Sequence, residues 1–473
     1  MFDFAVVGSG VGGSSIAAYL HAKNHKVILF EKEPYLGGCS STFIHKLQRY
    51  NTGATTFALY QEKGVVKELF DSFGFIPSLV KSDPSIVVIQ GDKTTPRVKD
   101  FESFLEVIEQ NYPHPKNREF WTLIYQLGNA FYDCRGHYYE TSSWVKKIKS
   151  LFSFLPLFKR FWRYLCIDGE KFINHFYGEI SEEYKLFLES QVMIVTQAPM
   201  HKSNFFSVAV ALGYTFGDNY YIKGGMGKIF DAMTDNIPDV MRRTEIKKII
   251  KHDGYFELHA KMQIFTAKKV ILNSTIYDSE KFFDEGSIKN YYKKFKKKDN
   301  HQSSFIVYMK IKTDKTFHHH YQIIKEEKFP STISQALFVS LSDKEDRLMA
   351  EEGYYSLTAS VHTMSFYWDN PAVYKQQKEE LQEILQRVIL EILGIKESEV
   401  EECFSATPKT FLHYINREQL GGNPITMKNF LPFLPGNDTP IKGLYHVGDS
   451  VYPAQGWPGV VMGVQNTIRL LDA

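Results

Sequence analysis

Phe4-Ala5-Val6-Val7-Gly8-Ser9-Gly10-Val11-Gly12-Gly13, running on into Ser14-Ser15-Ile16-Ala17-Ala18-Tyr19-Leu20, is the stretch that decides the fold. The first four residues predict a short buried strand, and Ile16, Ala17 and Leu20 keep helical spacing. Between them lies GxGxxG. Set between a strand and a helix, Gly8 permits a tight turn, Gly10 lets backbone approach a pyrophosphate and Gly13 lets the helix lie on the strand. The helix N-terminus, through Ser9, Val11 and Gly12, offers N–H groups to phosphate charge. A second predicted strand, Lys26 to Phe30, ends at Glu31, 23 positions after Gly8, where a carboxylate can take both ribose hydroxyls. Strand, loop, helix, strand and acid in register predict a Rossmann-type dinucleotide site that either NAD or FAD satisfies.

The remainder of the 473 residues is globular in character, with 43% hydrophobic and 23% charged residues. A net charge of +2 removes the electrostatic basis for a nucleic-acid partner. Cys39, Cys134, Cys166 and Cys403 lie far apart, so neither a disulfide framework nor a cysteine zinc site is expected, and a reducing compartment is the default. Met1 to Gly10 lacks a basic region followed by an apolar one, and no run of about 18 apolar residues follows anywhere. A cytoplasmic protein is therefore expected. Its 37 Phe, 28 Tyr and 5 Trp suit a large apolar cavity as well as an ordinary core.

Just beyond the acid, Lys32-Glu33-Pro34-Tyr35-Leu36-Gly37-Gly38-Cys39-Ser40-Ser41 brings a second glycine pair. Here the chain resembles the amine-oxidase-like flavoproteins, whose loop of this form wraps FAD. Tyr50-Asn51-Thr52-Gly53 resembles that superfamily's next element, with Asn51 where an acid is usual. Cys39 stands where some relatives carry Arg and is read as a small neighbour of the cofactor. Tyr221 to Ile229, with Gly224-Gly225-Met226-Gly227 before a helix, and then predicted strands over 244–250, 255–260 and 269–272, follow the order of the desaturase and isomerase branch. In that branch Ile246 would lie near adenine.

Near the C-terminus a strand ends in Gly448-Asp449, and Gln455-Gly456-Trp457-Pro458-Gly459-Val460 opens a closing helix. The resemblance implies that Asp449 meets the ribityl or pyrophosphate region and that Gly456 to Val460 aims helix N–H groups at the flavin pyrimidine. It covers both termini and the centre, and is most specific for the phytoene desaturase, carotenoid isomerase and retinol saturase group. Residues 191–200 (QVMIVTQAPM), 359–363 (ASVHT) and 406–411 (ATPKTF) are expected to serve structural roles.

Residues 144–166 hold Lys146, Lys147, Lys149, Lys159, Arg160 and Arg163 without one acid. Apolar residues at helical spacing on either side of Pro156 predict two basic amphipathic helices, suited to a bilayer interface or to packing with a solvated basic face. Residues 293–298 (KKFKKK) read as a solvated loop or helix end. His318-His319-His320 would alternate across a strand with no acid or thiol at ligand spacing, so no metal is expected. Residues 397–402 (ESEVEE) fit an exposed turn.

The expected fold class is α/β, a Rossmann-type FAD-binding domain from residues 1–60, 215–280 and 435–473, with an interleaved α+β substrate domain from 61–214 and 281–434. The resemblance implies an FAD-dependent oxidoreductase working on carbon–carbon bonds of a hydrophobic polyene or isoprenoid of carotenoid or retinoid type, and the basic segment 144–166 allows a peripheral association with a membrane. Desaturation, saturation and isomerisation all fit, and the electron acceptor or donor stays open. An amine or unsaturated-lipid oxidoreductase, or a lipid-binding relative without chemistry, shares the scaffold. No side chain stands out as catalytic acid or base.

Overall fold

A computed structural model describes residues 1–139, 144–284, 286–296, 301–430, 434–453 and 455–472. The strand Phe2–Val7 pairs in parallel with Val27–Phe30 on one side and with Ile264–Leu272 on the other. Asp239–Met241 extends the first edge. Along the far edge of Ile264–Leu272, its first half takes the antiparallel strand Phe256–His259, which in turn takes Lys248–Lys251, and its last three residues take Leu444–His446 in parallel. Helix Val11–Ala22 and the closing helix Gly456–Asp472 cover one face. The strand expected over 244–250 begins only at Lys248. Thr244 donates its N–H to the carbonyl of Glu31 at 2.8 Å instead, and Ile246 is buried near the acid's end of the sheet.

The second large sheet runs in the order Val400–Ala406, Gln302–Lys312, Tyr354–Met364, Ala336–Leu341, His320–Ile324, Val87–Gln90, Lys93–Pro96. Strand alternation sorts its side chains. Phe305, Val307, Met309, Val339, Leu357 and Ala359 pack beneath helix Pro371–Leu393 through Leu381, Leu385 and Ile389. Even-numbered neighbours, among them Ser304, Ile306, His320, Phe338, Ser340, Ser360 and His362, face a cleft. A layer of helices, including Asn117–Cys134, Glu182–Thr196 and Phe205–Gly213, closes the cleft from the opposite side.

Packing overruns the boundaries expected at 60 and 280. Val65, Val66, Leu69 and Phe70 of helix Val65–Asp71 share a core with the Rossmann sheet, as do Tyr291, Tyr292 and Phe295 of helix Gly286–Lys296. The lysine run 293–296 is the last turn of that second helix, and residues 297–298 lie outside the described residues. The acidic stretch is a turn only over Glu397–Glu399. Val400 to Glu402 already belong to an edge strand, where Glu401 accepts from Tyr354 and pairs with Lys310. Residues 144–166 do form two helices, Trp144–Ser153 and Leu155–Leu165.

Candidate cofactor and substrate cleft

One cleft of about 600 Å³ joins the glycine loops to the space between the second sheet and the helical layer. Its floor is the Gly8–Gly12 turn. Glu31 braces that turn: one carboxylate oxygen accepts from the Ser9 N–H at 3.1 Å and from the Ser9 hydroxyl, and the other accepts from the Glu33 N–H at 2.9 Å. A carboxylate has about four acceptor sites, so capacity for a ribose remains on an acid already committed in part to its own loop. Gly37 donates to the Ser9 carbonyl at 3.0 Å, which docks the second glycine pair onto the first.

Of the expected cofactor residues, Gly8, Ser9, Gly10, Val11, Gly12, Glu31, Lys32, Gly37, Gly38, Cys39, Ser40, Ile246, Gly448, Asp449 and Gly456 through Val460 all line this cleft. Gly13 does not. It acts by packing, since a Cβ there would lie 1.9 Å from the Gly8 carbonyl oxygen. Gly225 and Gly227 also serve approach, pressing on Thr42, while Asn51 replaces the usual acid by accepting from Thr42 Oγ1 and the Met226 N–H, both at 2.9 Å. Burial pushes the Cys39 thiol up, against a reactive role.

Several lining residues escaped the sequence reading. Asn273, which ends the strand Ile264–Leu272 level with Gly8, fills the notch between the glycine turn and Gly448; a Cβ on Gly10 would meet its Nδ2 at 2.6 Å. A polar residue ending the third parallel strand was the available signal. Arg417 comes from the far unit. Its Nη2 donates to Asp449 Oδ2 at 2.9 Å, and although burial opposes its charge, Asp449 holds the guanidinium protonated. The same segment is tied to the Glu31 end of the cleft, where Lys32 Nζ donates to the His413 carbonyl and to Asn416 Oδ1, both at 2.9 Å, and Asn416 Nδ2 donates to Glu245 at 2.8 Å. Gln197 and His362, expected to be structural, face the cavity instead.

The residues fit a dinucleotide. Cβ atoms on Gly10 and Gly12 would fill the cradle, and Gln455 lines it with both polar side-chain atoms buried and unpaired among the described residues. Helices Val11–Ala22 and Gly456–Asp472 both begin at its edge, adding about half a positive charge each. A model of the NAD(P)-binding Rossmann-like domain matches residues 6–73. The chain is 24% identical, over all its length and 86% of the relative's, to prolycopene isomerase 1 of an Oncidium hybrid cultivar. It is 23% identical to a 4,4'-diapophytoene desaturase of Staphylococcus haemolyticus, covering 99% and 98% of the two chains.

Along nearly its whole length the chain is therefore similar to proteins named as a prolycopene isomerase and a diapophytoene desaturase.

Solved structures carry the same fold. An oxidoreductase from Methanosarcina mazei matches with a TM-score of 0.65 at 19% identity, covering 99% of this chain and 100% of that one. A putrescine oxidase variant matches at 0.63 and 14%, covering 100% and 99%.

Buried histidines give the fold a pH signature. Burial lowers His319 and His362 to about 4 and His446 to about 3, against about 6.5 in an unfolded chain. Below pH 6.5 the unfolded chain binds protons that the native state refuses, so stability is lost as pH falls toward 4. Each group contributes about 1.4 kcal/mol per pH unit in that window. The urea midpoint is expected to drop sharply between pH 7 and pH 5; an unchanged midpoint would refute this.

Proposed function

We propose that this protein is an FAD-dependent oxidoreductase that acts on a carbon–carbon bond of a long unsaturated isoprenoid, as a desaturase, saturase or isomerase. The observation that carries the reading is the apolar continuation of the cleft beyond the dinucleotide loops, walled by Phe131, Ile194, Phe206, Val210, Phe430 and Leu434. Relatives named as a prolycopene isomerase and a diapophytoene desaturase support it. When bound, the flavin supplies hydride or electron exchange with a substrate carbon. The chain's residues do the rest. Glu31, Asn273 and Asp449 fix the dinucleotide, the aromatic and aliphatic wall excludes water and orients the chain, and the start of the closing helix favours negative charge beside it.

The test is to incubate the yellow protein with polyene candidates, with and without an oxidant or reductant, and follow absorbance. A gain of conjugation that needs an acceptor means desaturation, a loss that needs a donor means saturation, and a geometric change with no net redox means isomerisation. Rapid flavin reduction by a small amine, with polyenes untouched, would replace this reading by the amine-oxidase one.

The substrate's solubility bears on the helices Trp144–Ser153 and Leu155–Leu165, which we read as a peripheral attachment to an anionic bilayer surface. Among the described residues no helix is long and apolar enough to cross a membrane. Trp144, Val145, Phe152 and Trp162 are between 62% and 80% exposed, an unusual cost for such side chains in water. Leu157 and Phe161 anchor the second helix to the body, and Phe154 meets Tyr452, a cavity-lining ring, at 6.2 Å. Reversing Lys147, Lys149, Lys159 and Arg160 to Glu is expected to abolish most co-sedimentation with phosphatidylserine vesicles, at about 1 kcal/mol per basic residue near the surface. Undiminished pelleting of that variant would leave the helices merely solvated.

A further inference from the structure

The sheet face toward the cavity is not what a pure hydrocarbon calls for. Cross-strand register sets Ser304 opposite His362, Ser340 opposite His320, and Ser360 between Ile306 and Phe338. All of these line the cavity, and Thr55 and Gln197 join them from adjoining segments. A polar floor thus faces the apolar helical wall.

Part of that floor satisfies itself. His320 Nε2 lies 3.2 Å from Thr55 Oγ1, which lies 2.7 Å from Ser340 Oγ. The other part does not. Gln197 is 6% exposed, and its Nε2 lies 3.2 Å from His362 Nε2, which leaves Gln197 Oε1 and His362 Nδ1 buried without a partner among the described residues. An amide nitrogen only donates, so His362 Nε2 accepts and the ring proton sits on Nδ1. The pair therefore presents one free acceptor and one free donor. Rotating the amide exchanges the roles and still strands one polar atom on each side chain. Buried polar atoms of this kind are paired in the functional state, because leaving them desolvated and unpaired is costly.

We propose that the cavity takes an unsaturated chain bearing an uncharged oxygen function, a hydroxyl or a carbonyl, that hydrogen-bonds to Gln197 and His362. A hydroxyl satisfies both atoms at once, donating to Gln197 Oε1 and accepting from His362 Nδ1, whereas a hydrocarbon leaves both stranded. A carboxylate is disfavoured because, among the described residues, the lysines that line the cleft lie toward Glu245, where Lys32 donates to Asn416 and Lys281 sits near Glu245 and Asp278. Arg417 is committed to Asp449, and burial keeps His320 and His362 neutral at pH 7. The inference rests on the polyene reading of the site and narrows it to an oxygenated substrate.

Axerophtene, retinol and retinoate share one polyene chain and end in methyl, hydroxymethyl and carboxylate. Dissociation constants for the three, read from quenching of protein fluorescence in the flavin-loaded protein, test the proposal. Retinol is expected to bind at least about tenfold more tightly than axerophtene, a difference of about 1.4 kcal/mol, with retinoate weakest. In Gln197→Leu/His362→Leu the preference for retinol over axerophtene is expected to fall to about twofold or less, while axerophtene binds no worse. Equal binding of retinol and axerophtene by the unmodified protein overturns the oxygenated substrate and leaves the polyene reading standing. Tightest binding of retinoate also overturns it. Failure of all three to bind removes both readings. The comparison in the unmodified protein decides the matter even if the double variant does not fold.

Discussion

Gly13→Ala is expected to cost the protein about 3 kcal/mol or more and to release its flavin. The added methyl would stand 1.9 Å from the Gly8 carbonyl oxygen and 3.1 Å from Asn273 Cβ. Neither can swing aside, so helix Val11–Ala22 must lift from the strand it covers. Overpacking of this kind commonly costs about 1–3 kcal/mol, and a backbone clash belongs at or above the upper end. Gly10→Ala is the informative contrast. Its methyl would meet the Nδ2 end of the Asn273 side chain at 2.6 Å, and a side-chain amide can move. The fold should survive that change while flavin retention weakens. Gly10→Val, which fills the cradle outright, should abolish retention in a folded protein. Urea unfolding and the flavin absorbance of the purified variants check the set. A Gly13→Ala protein with a normal unfolding midpoint would show that the contact relaxes at little cost.

Arg417→Leu is expected to destabilise by about 3 kcal/mol, because it leaves the mostly buried Asp449 carboxylate without its cation. The effect should extend beyond the pair. Asn423 donates its N–H to the Asp449 carbonyl at 3.1 Å, and a Cβ on Gly422 would come within 2.6 Å of that same oxygen, so residues 416–423 are seated directly on the Gly448-Asp449 turn. Loosening them should open the cleft over the dinucleotide and raise the FAD dissociation constant about tenfold or more. Replacing both partners, Arg417→Leu with Asp449→Leu, should recover much of the stability, since an apolar pair of similar volume often substitutes for a buried ion pair. It should not recover FAD binding. Chemical denaturation and equilibrium dialysis against FAD separate the two quantities, and full recovery of both would assign the pair a purely structural role.

What the sequence determined by itself is local. Gly8 to Gly13, Glu31 and the two flanking strands encode a dinucleotide site because each requirement, a tight turn, close backbone approach, a helix N-terminus and an acid at the strand end, is met within one contiguous segment. The loop Gly37-Gly38 and the Gly448-Asp449 turn were legible for the same reason, and all of them line one cleft. The spacing also marked Gly13 as the glycine on which the helix lies against its strand, and a Cβ there would meet Gly8; that Gly225 is needed for contact with Thr42 was not legible in its helix-start motif.

Only the tertiary structure decided the rest. Arg417 reaches Asp449 across 32 positions, and Asn273 reaches Gly10 across a parallel strand pairing that no periodicity reveals. The substrate wall is more distant still. Ser304, His320, Ser340 and His362 come from four strands, and each looks like an ordinary polar position in its own segment. Their common face follows from register, which is set by the packing of the opposite face on helix Pro371–Leu393. A residue's parity along a strand is written in the sequence, but which parity meets the cofactor is fixed only when both faces of the sheet have found their partners.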